Sequence, residues 1–247
     1  MFHMKDKNRI EVFDMSSDVL VYDVKNHRVV TDSLLFSKQA FETFPSFSPD
    51  GKTLYFSSSV AQKMPIDYKK VKYNICSISF DAETGRFGTQ VDTLFSVEQT
   101  GKTGTFPRVS PDGKFLAFTE ADYGNFTIWH KEADLCLIDL KTKEIKSLDA
   151  LNSLEAESYH AWSSNGRWLV FASRRDDGLY SRPYIAYIDE EGTAHKAFVV
   201  PQASPDAYWD GLKSYNVPEF ITGPVNLQRK AVVEMAKHGQ AKKVTAQ

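Results

Sequence analysis

Fifteen residues from Phe44 to Ser58, FPSFSPDGKTLYFSS, return as FPRVSPDGKFLAFTE at Phe106 and, more altered, as YHAWSSNGRWLVFAS at Tyr159. Three occurrences make this a repeat chain, and each copy reads as strand, tight turn, strand. The turn is legible in Asp50-Gly51, Asp112-Gly113 and Asn165-Gly166, because glycine takes the positive φ that a short hairpin turn requires. Pro49 and Pro111 pre-set φ just before it. After the turn, Leu54 and Phe56 recur as Leu116 and Phe118, then as Leu169 and Phe171. Residues two apart share one sheet face. The other face is apolar too, with Tyr55, then Phe115 and Ala117, then Trp168 and Val170. A strand apolar on both faces belongs in a sheet covered on both sides.

A second echo follows each copy. VLVYDVKNHRVV at Val19, ICSISFDAETGRF at Ile75, LCLIDLKTKEI at Leu135 and IAYIDEEGTAHK at Ile185 superimpose on Asp23, Ser79, Asp139 and Asp189. Two hairpins in series give one four-stranded antiparallel unit per repeat. The turn glycines Gly51, Gly113 and Gly166 lie 62 and 53 residues apart, longer than the roughly 40–50 residues of common propeller repeats. The expectation is an all-β chain of β-propeller blades.

The Phe-Pro pair, the Ser-Pro-Asp-Gly-Lys turn and the alternating strand after it, as they stand at Phe44–Phe56 and Phe106–Phe118, resemble the TolB-like propeller repeat, a relative of the WD repeats. The resemblance covers roughly residues 10–200. It is specific for architecture and unspecific for activity, since such blades occur in periplasmic scaffold proteins and as lids on prolyl-oligopeptidase-type enzymes. The longer run from Phe106 to Phe220 is similar to surface or periplasmic proteins of Bacteroidetes-type bacteria. The resemblance therefore implies a periplasmic or cell-envelope location and a non-enzymatic binding or scaffold role. The alternatives are the propeller part of a larger hydrolase, either a prolyl-oligopeptidase-type peptidase or a carbohydrate-active enzyme, and the inert remnant of a split gene.

The organisation expected along the chain is as follows. Residues 1–36 read as the outer half of a truncated blade, with strands at Ile10–Phe13 and within Val19–Val30. Three blades follow within 37–200, at about 44–100, 106–150 and 159–200. Residues 201–225 read as an irregular closing segment with one strand at Ser214–Val217, and 226–247 as a basic tail, either a short helix or disordered. Three and a half blades fall short of the roughly six or seven expected of a TolB-like ring. The chain is therefore expected to be a fragment of a longer propeller, and its open blade faces invite self-association.

Composition excludes several classes. A net charge of −2 argues against nucleic acid as partner, which calls for a basic face. No stretch approaches the ~20 apolar residues of a membrane helix. Met1–Ile10 lacks the apolar core of a signal peptide. Cys76 and Cys136 occupy the same place in successive blades and read as small buried apolar residues rather than a disulfide. No nucleophile elbow, phosphate loop or metal-binding pair occurs, so no catalytic residue, cofactor or metal is expected. Asp122 and Glu157 would be the acids of a glycosidase-type pair, although nothing in their spacing favours it.

Antiparallel order puts the Asp-Gly turns on one side of the disc and the connections between second and third strands on the other. Those connections are long, about Ser58–Lys72, Ala121–Asp134 and Arg174–Pro183. Long loops on a rigid scaffold are where binding concentrates. They carry Tyr123, Trp129, His130, Arg174, Arg175, Tyr180 and Arg182, aromatic and basic groups suited to stacking and to pairing with carboxylates or phosphates. The plainer reading of the same loops is a solvated face with weak Arg–Asp pairs. His160 stands where the other copies have Pro45 and Pro107. It is either a structural histidine or a member of the same site, with Tyr159, Glu157, Arg174 and Arg175 near it. A protein partner or small ligand on this face is the expected function.

Overall fold

In the computed structural model, which describes residues 2–6, 9–224 and 226–246, the repeated turn is built the same way three times. Ser48 Oγ donates to Asp50 Oδ1, Ser110 Oγ to Asp112 Oδ1 and Ser163 Oγ to Asn165 Oδ1, each at 2.6 Å. The same serine oxygen accepts the amide of the first strand residue beyond the turn, Thr53, Phe115 or Trp168. Gly51, Gly113 and Gly166 take φ of 70°, 73° and 66°, the left-handed region that suits glycine.

The chain opens with an antiparallel pair, β1 (Phe2–Asp6) and β2 (Arg9–Phe13). Strands β3 (Val21–Asp23) and β4 (Arg28–Val30) form a short hairpin. The first full blade is β5 (Ala40–Phe47), β6 (Thr53–Val60), β7 (Asn74–Asp81) and β8 (Arg86–Phe95). A single turn of helix, α1 (Val97–Thr100), leads to the second. That blade comprises β9 (Thr103–Val109), β10 (Phe115–Ala121), β11 (Asp134–Asp139) and β12 (Ile145–Ser147). The third has β13 (Glu157–Trp162), β14 (Trp168–Ser173), β15 (Arg182–Tyr187) and β16 (Phe198–Val199). Each blade is one antiparallel sheet whose strands pair in chain order. With the β3–β4 hairpin this makes about three and a half propeller blades.

The cores lie between sheets, because every central strand is apolar on both faces. Leu135 and Leu137 of blade two pack with Leu169, Phe171 and Ala186 of blade three. Ile75 and Phe95 of blade one meet Leu116, Phe118 and Ile138 of blade two. Val19 and Leu35 of the half blade cover Leu54, Phe56 and Ile78. Cys76 and Cys136 are free and buried in these layers.

Every first strand carries a bulge at one place. Phe44-Pro45 faces Phe56, Phe106-Pro107 faces Phe118, and Tyr159-His160 faces Phe171, two residues against one. The extra residue bends the strand and turns its aromatic out of the ladder.

Two segments depart from the sequence expectation, and the tail takes one of the two forms expected of it. Arg9–Phe13 is not part of the half blade, because it pairs with Phe2–Asp6 instead. Ser214–Val217 is not a strand, and the segment before it turns once as helix α2 (Pro205–Asp210). The basic tail forms helix α3 (Arg229–His238), none of whose residues is buried. It is followed by β17 (Thr245–Ala246), which runs parallel to β4 at the half blade's outer edge. Among the described residues no helix is long and apolar enough to cross a membrane.

Candidate binding face

The long connections 61–73, 122–133 and 174–181 stand opposite the Asp-Gly turns, and several of their polar side chains are held by contacts within the protein. The Arg174 guanidinium lies 4.5 Å from the Trp129 ring centroid. It also donates to the backbone carbonyls of Ile128 and Leu179, so it ties the second loop to the third. Arg175 goes the other way, into the sheet interface. It donates to Ser173 Oγ at 2.8 Å, to Glu157 Oε1 at 3.2 Å and to the Leu151 carbonyl, and it stacks 4.4 Å over Tyr184. Glu157 is fully buried and also accepts from Ser153 Oγ at 2.8 Å and Ser173 Oγ at 2.7 Å. Burial raises its carboxyl above the usual range, while the two serines and Arg175 pull the other way.

Arg182 is buried as well. Asp177 Oδ2 at 2.9 Å and Asp176 Oδ2 at 3.6 Å hold it, and Trp209 covers it at 4.6 Å. Tyr180 is half-buried, its amide bonded to Asp177 Oδ1 at 2.8 Å.

Tyr123 and His130 form a second group, closed by the N-terminal segment. Tyr123 Oη donates to Glu11 Oε1 at 2.7 Å, and His130 Nε2 lies 3.5 Å from Glu11 Oε2. Asn125 Nδ2 donates to Asp14 Oδ2 at 2.9 Å, and the Phe13 ring stacks on Tyr68 at 5.3 Å. Glu11 and His130 are both buried. Glu11 and Asp14 were not among the expected site residues, since no local pattern links them to residues more than a hundred positions away.

His160 belongs to neither group. It is 4% exposed, and neither ring nitrogen makes a hydrogen bond of ordinary geometry. Burial pushes it down to about 4, with Arg108 adding to the shift, against the weaker pull of the Ala117 and Phe106 backbone. Arg175 serves Glu157 rather than His160. Asp122 is exposed, 2.5 Å from Lys102 Nζ, an environment unlike that of Glu157. Among the described residues no cluster of three or more His, Cys, Asp or Glu is placed to hold a metal ion.

Among exposed charges such as Lys70 and Lys131, this face also leaves leucines in solvent. Leu154 is 87% exposed, Leu179 65% and Leu212 79%. The 205–221 segment is pinned beside them, with Tyr215 N bonded to Ser181 O at 2.8 Å and Ser181 N to Ser214 Oγ at 3.3 Å.

No protein-family model matches the sequence, and no curated protein matches it. Solved structures do. An oligogalacturonate lyase in complex with manganese aligns at 15% identity over 81% of this chain and 52% of its own, with a TM-score of 0.51. TolB from Acinetobacter baumannii aligns at 18% identity over 83% and 41%, with a TM-score of 0.47. The β-propeller domain of the Trilobed protease from Pyrococcus furiosus aligns at 18% over 67% and 44%, with a TM-score of 0.40. The chain spans about half, or less, of the length of these structures, and the likeness carries the fold alone. Together with the sheets above, the likeness to the lyase makes the chain a partial β-propeller. A Bacteroidetes-type source finds no support in these matches.

Proposed function

We propose that this chain is a non-enzymatic binding module that engages a protein partner through the long-loop face of its third blade. The observation that carries the reading is the exposure of Leu154, Leu179 and Leu212 above a base locked by the Arg174–Trp129 and Arg182–Asp177 contacts. Apolar groups held out by a rigid polar frame mark interaction surfaces, because little ordering cost remains to be met on binding. The expected setting is the periplasm or cell envelope, on the resemblance of the repeat.

The test is affinity capture from source-cell extract with quantified partner recovery. Leu154→Asp with Leu179→Asp should lower recovery about tenfold or more and leave the melting curve in place, whereas Asp81→Ala with Lys143→Ala on the short-turn side should change nothing. Equal loss from both pairs would overturn the reading. Hydrolysis by the isolated chain that disappears in Glu157→Gln would replace it with an enzymatic one.

A further inference from the structure

Among the described residues, the strands β1 and β2 pair with each other and with no blade. Three side chains at the end of this hairpin fasten it to the propeller. Glu11 accepts the Tyr123 hydroxyl at 2.7 Å and faces His130 Nε2 at 3.5 Å. Phe13 stacks on Tyr68 with ring planes 20° apart, and Asp14 accepts the Asn125 amide at 2.9 Å. Glu11 and Phe13 are buried there, and a cavity of only about 10 Å³ remains between the segment and the loops. The fit is close, yet a hairpin that shares no backbone ladder with the blades can leave without unpairing any of their sheets.

The receiving surface is held together by the blades themselves. Tyr68 comes from the long loop of blade one, and Tyr123, Asn125 and His130 come from that of blade two. Gly124 N donates to Val71 O at 2.8 Å and Thr103 Oγ1 to Gly124 O at 3.0 Å, which joins the two loops. Thr103 Oγ1 also accepts the Tyr73 amide at 2.8 Å, and Gly104 N donates to Tyr73 O at 2.8 Å. Gly104 stands where blades one and three carry Glu42 and Glu157. A Cβ on it would come within 2.8 Å of Phe95 and 2.9 Å of Ile75, so the missing side chain lets the two blades close up beneath the loops. Above this seam the Tyr123 ring lies edge-on to Tyr68 at 5.9 Å and tilted on His130 at 4.6 Å. None of these contacts uses the N-terminal segment. A segment entering so preorganised a recess meets little ordering cost there.

We propose that this recess is a receptor for an acidic, aromatic peptide segment of a partner protein, and that residues 11–14 hold it as an internal competitor. The occupant states the chemistry. One carboxyl group sits in the fork of Tyr123 and His130, an aromatic ring two residues on lies over Tyr68, and a second carboxyl group one residue further meets Asn125. Ring contact and desolvated side-chain hydrogen bonds give a short peptide its affinity. The tether gives the internal copy an effective concentration of the order of 1 mM, so a partner segment enters by outcompeting it. The recess lies on blades one and two, apart from the leucines of the third blade, and stands whether or not they bind a partner.

The probe is a fluorescein-labelled peptide of residues 9–16, RIEVFDMS, whose anisotropy is followed as the full chain is added. With its own segment loosened by Glu11→Gln and Phe13→Ala, the chain should bind the peptide saturably, about tenfold or more tighter than wild type does. Tyr123→Phe or Asn125→Ala, added to the loosened chain, should each weaken binding by about tenfold. Unlabelled peptide carrying Glu11→Gln and Phe13→Ala should not compete. Three results would overturn the proposal: equal affinity in the wild-type and loosened chains, unchanged affinity in the Tyr123 and Asn125 variants, or no saturable binding at millimolar peptide. Sedimentation of the wild-type chain tests whose segment it is. A monomer supports a separate partner, whereas a dimer that the peptide dissociates would overturn that assignment in favour of exchange between two copies. Should the double variant lose its melting transition, Phe13→Leu with Asp14→Asn loosens the segment more gently, and the same comparison decides the matter.

Discussion

The rings of Phe44 and Phe106 lie 3.9 Å apart between centroids, tilted by 37°, and both residues sit at positive φ, 53° and 56°. Tyr159 continues the row, 4.7 Å from Phe106 and with φ of 50°. A left-handed conformation costs a non-glycine residue about 1–2 kcal/mol. Stacking and burial along the inner edges of the blades offset that cost. The bulge thus exchanges local strain for contact between blades.

This exchange can be measured by urea unfolding. Phe106→Ala should cost about 3 kcal/mol and the half-buried Phe44→Ala about half as much, with a coupling of about 1 kcal/mol between them. Phe106→Gly should be milder than Phe106→Ala, because glycine adopts the observed φ freely. Strict additivity of the two alanine variants would show that the ring contact carries no energy of its own.

Arg174 and Arg175 are neighbours with opposite duties. Removing Arg175 leaves Glu157 buried without its cation, a loss of about 3–5 kcal/mol. Removing Arg174 forfeits a half-exposed stacking contact worth about 0.5–1 kcal/mol. Denaturant midpoints of the two alanine variants should therefore differ widely. Similar midpoints would mean that Glu157 stays protonated and does not need Arg175.

Two buried groups give opposite pH dependences. His160 falls from 6.5 to about 4 in the folded chain, so between those values the unfolded chain binds more protons and stability drops as pH falls, by about 3 kcal/mol across the window. Glu42 rises from 4.5 to about 7, so between those values the folded chain binds more protons and stability drops as pH rises. Glu157 is raised too and acts in the same sense as Glu42. Where the windows overlap, the raised carboxyls oppose His160, and the wild-type slope is their difference. Relative to wild type, Glu42→Gln should tilt the slope toward stability climbing with pH, and His160→Leu toward stability descending with pH. Identical slopes in the two variants, read from urea midpoints across the range, would sink this account.

The repeat was legible because strand period and turn chemistry are local. Leu54 and Phe56, two apart after an Asp-Gly turn, already place a face and a hairpin. The inward course of Arg175 was legible in principle, since Leu169, Phe171, Ser173 and Arg175 keep the same alternation toward blade two. Grouping it with Arg174 as a surface base overlooked that parity. At Ser204, Pro205 in the first helical position was a helix-start signal that reads equally as a decayed turn. The destination of Glu11, 112 residues from Tyr123, had no local signature.

Gly104 gives the three copies a fixed sequence along the arc. Where its neighbours carry a glutamate, this copy lets Phe95 and Ile75 of the preceding blade press against bare backbone. A rearranged gene that placed the first or third copy in its slot would drive a carboxylate into those two apolar side chains. Repeats that began as interchangeable are no longer so, and duplication or permutation of blades is barred at this seam by a single absent side chain.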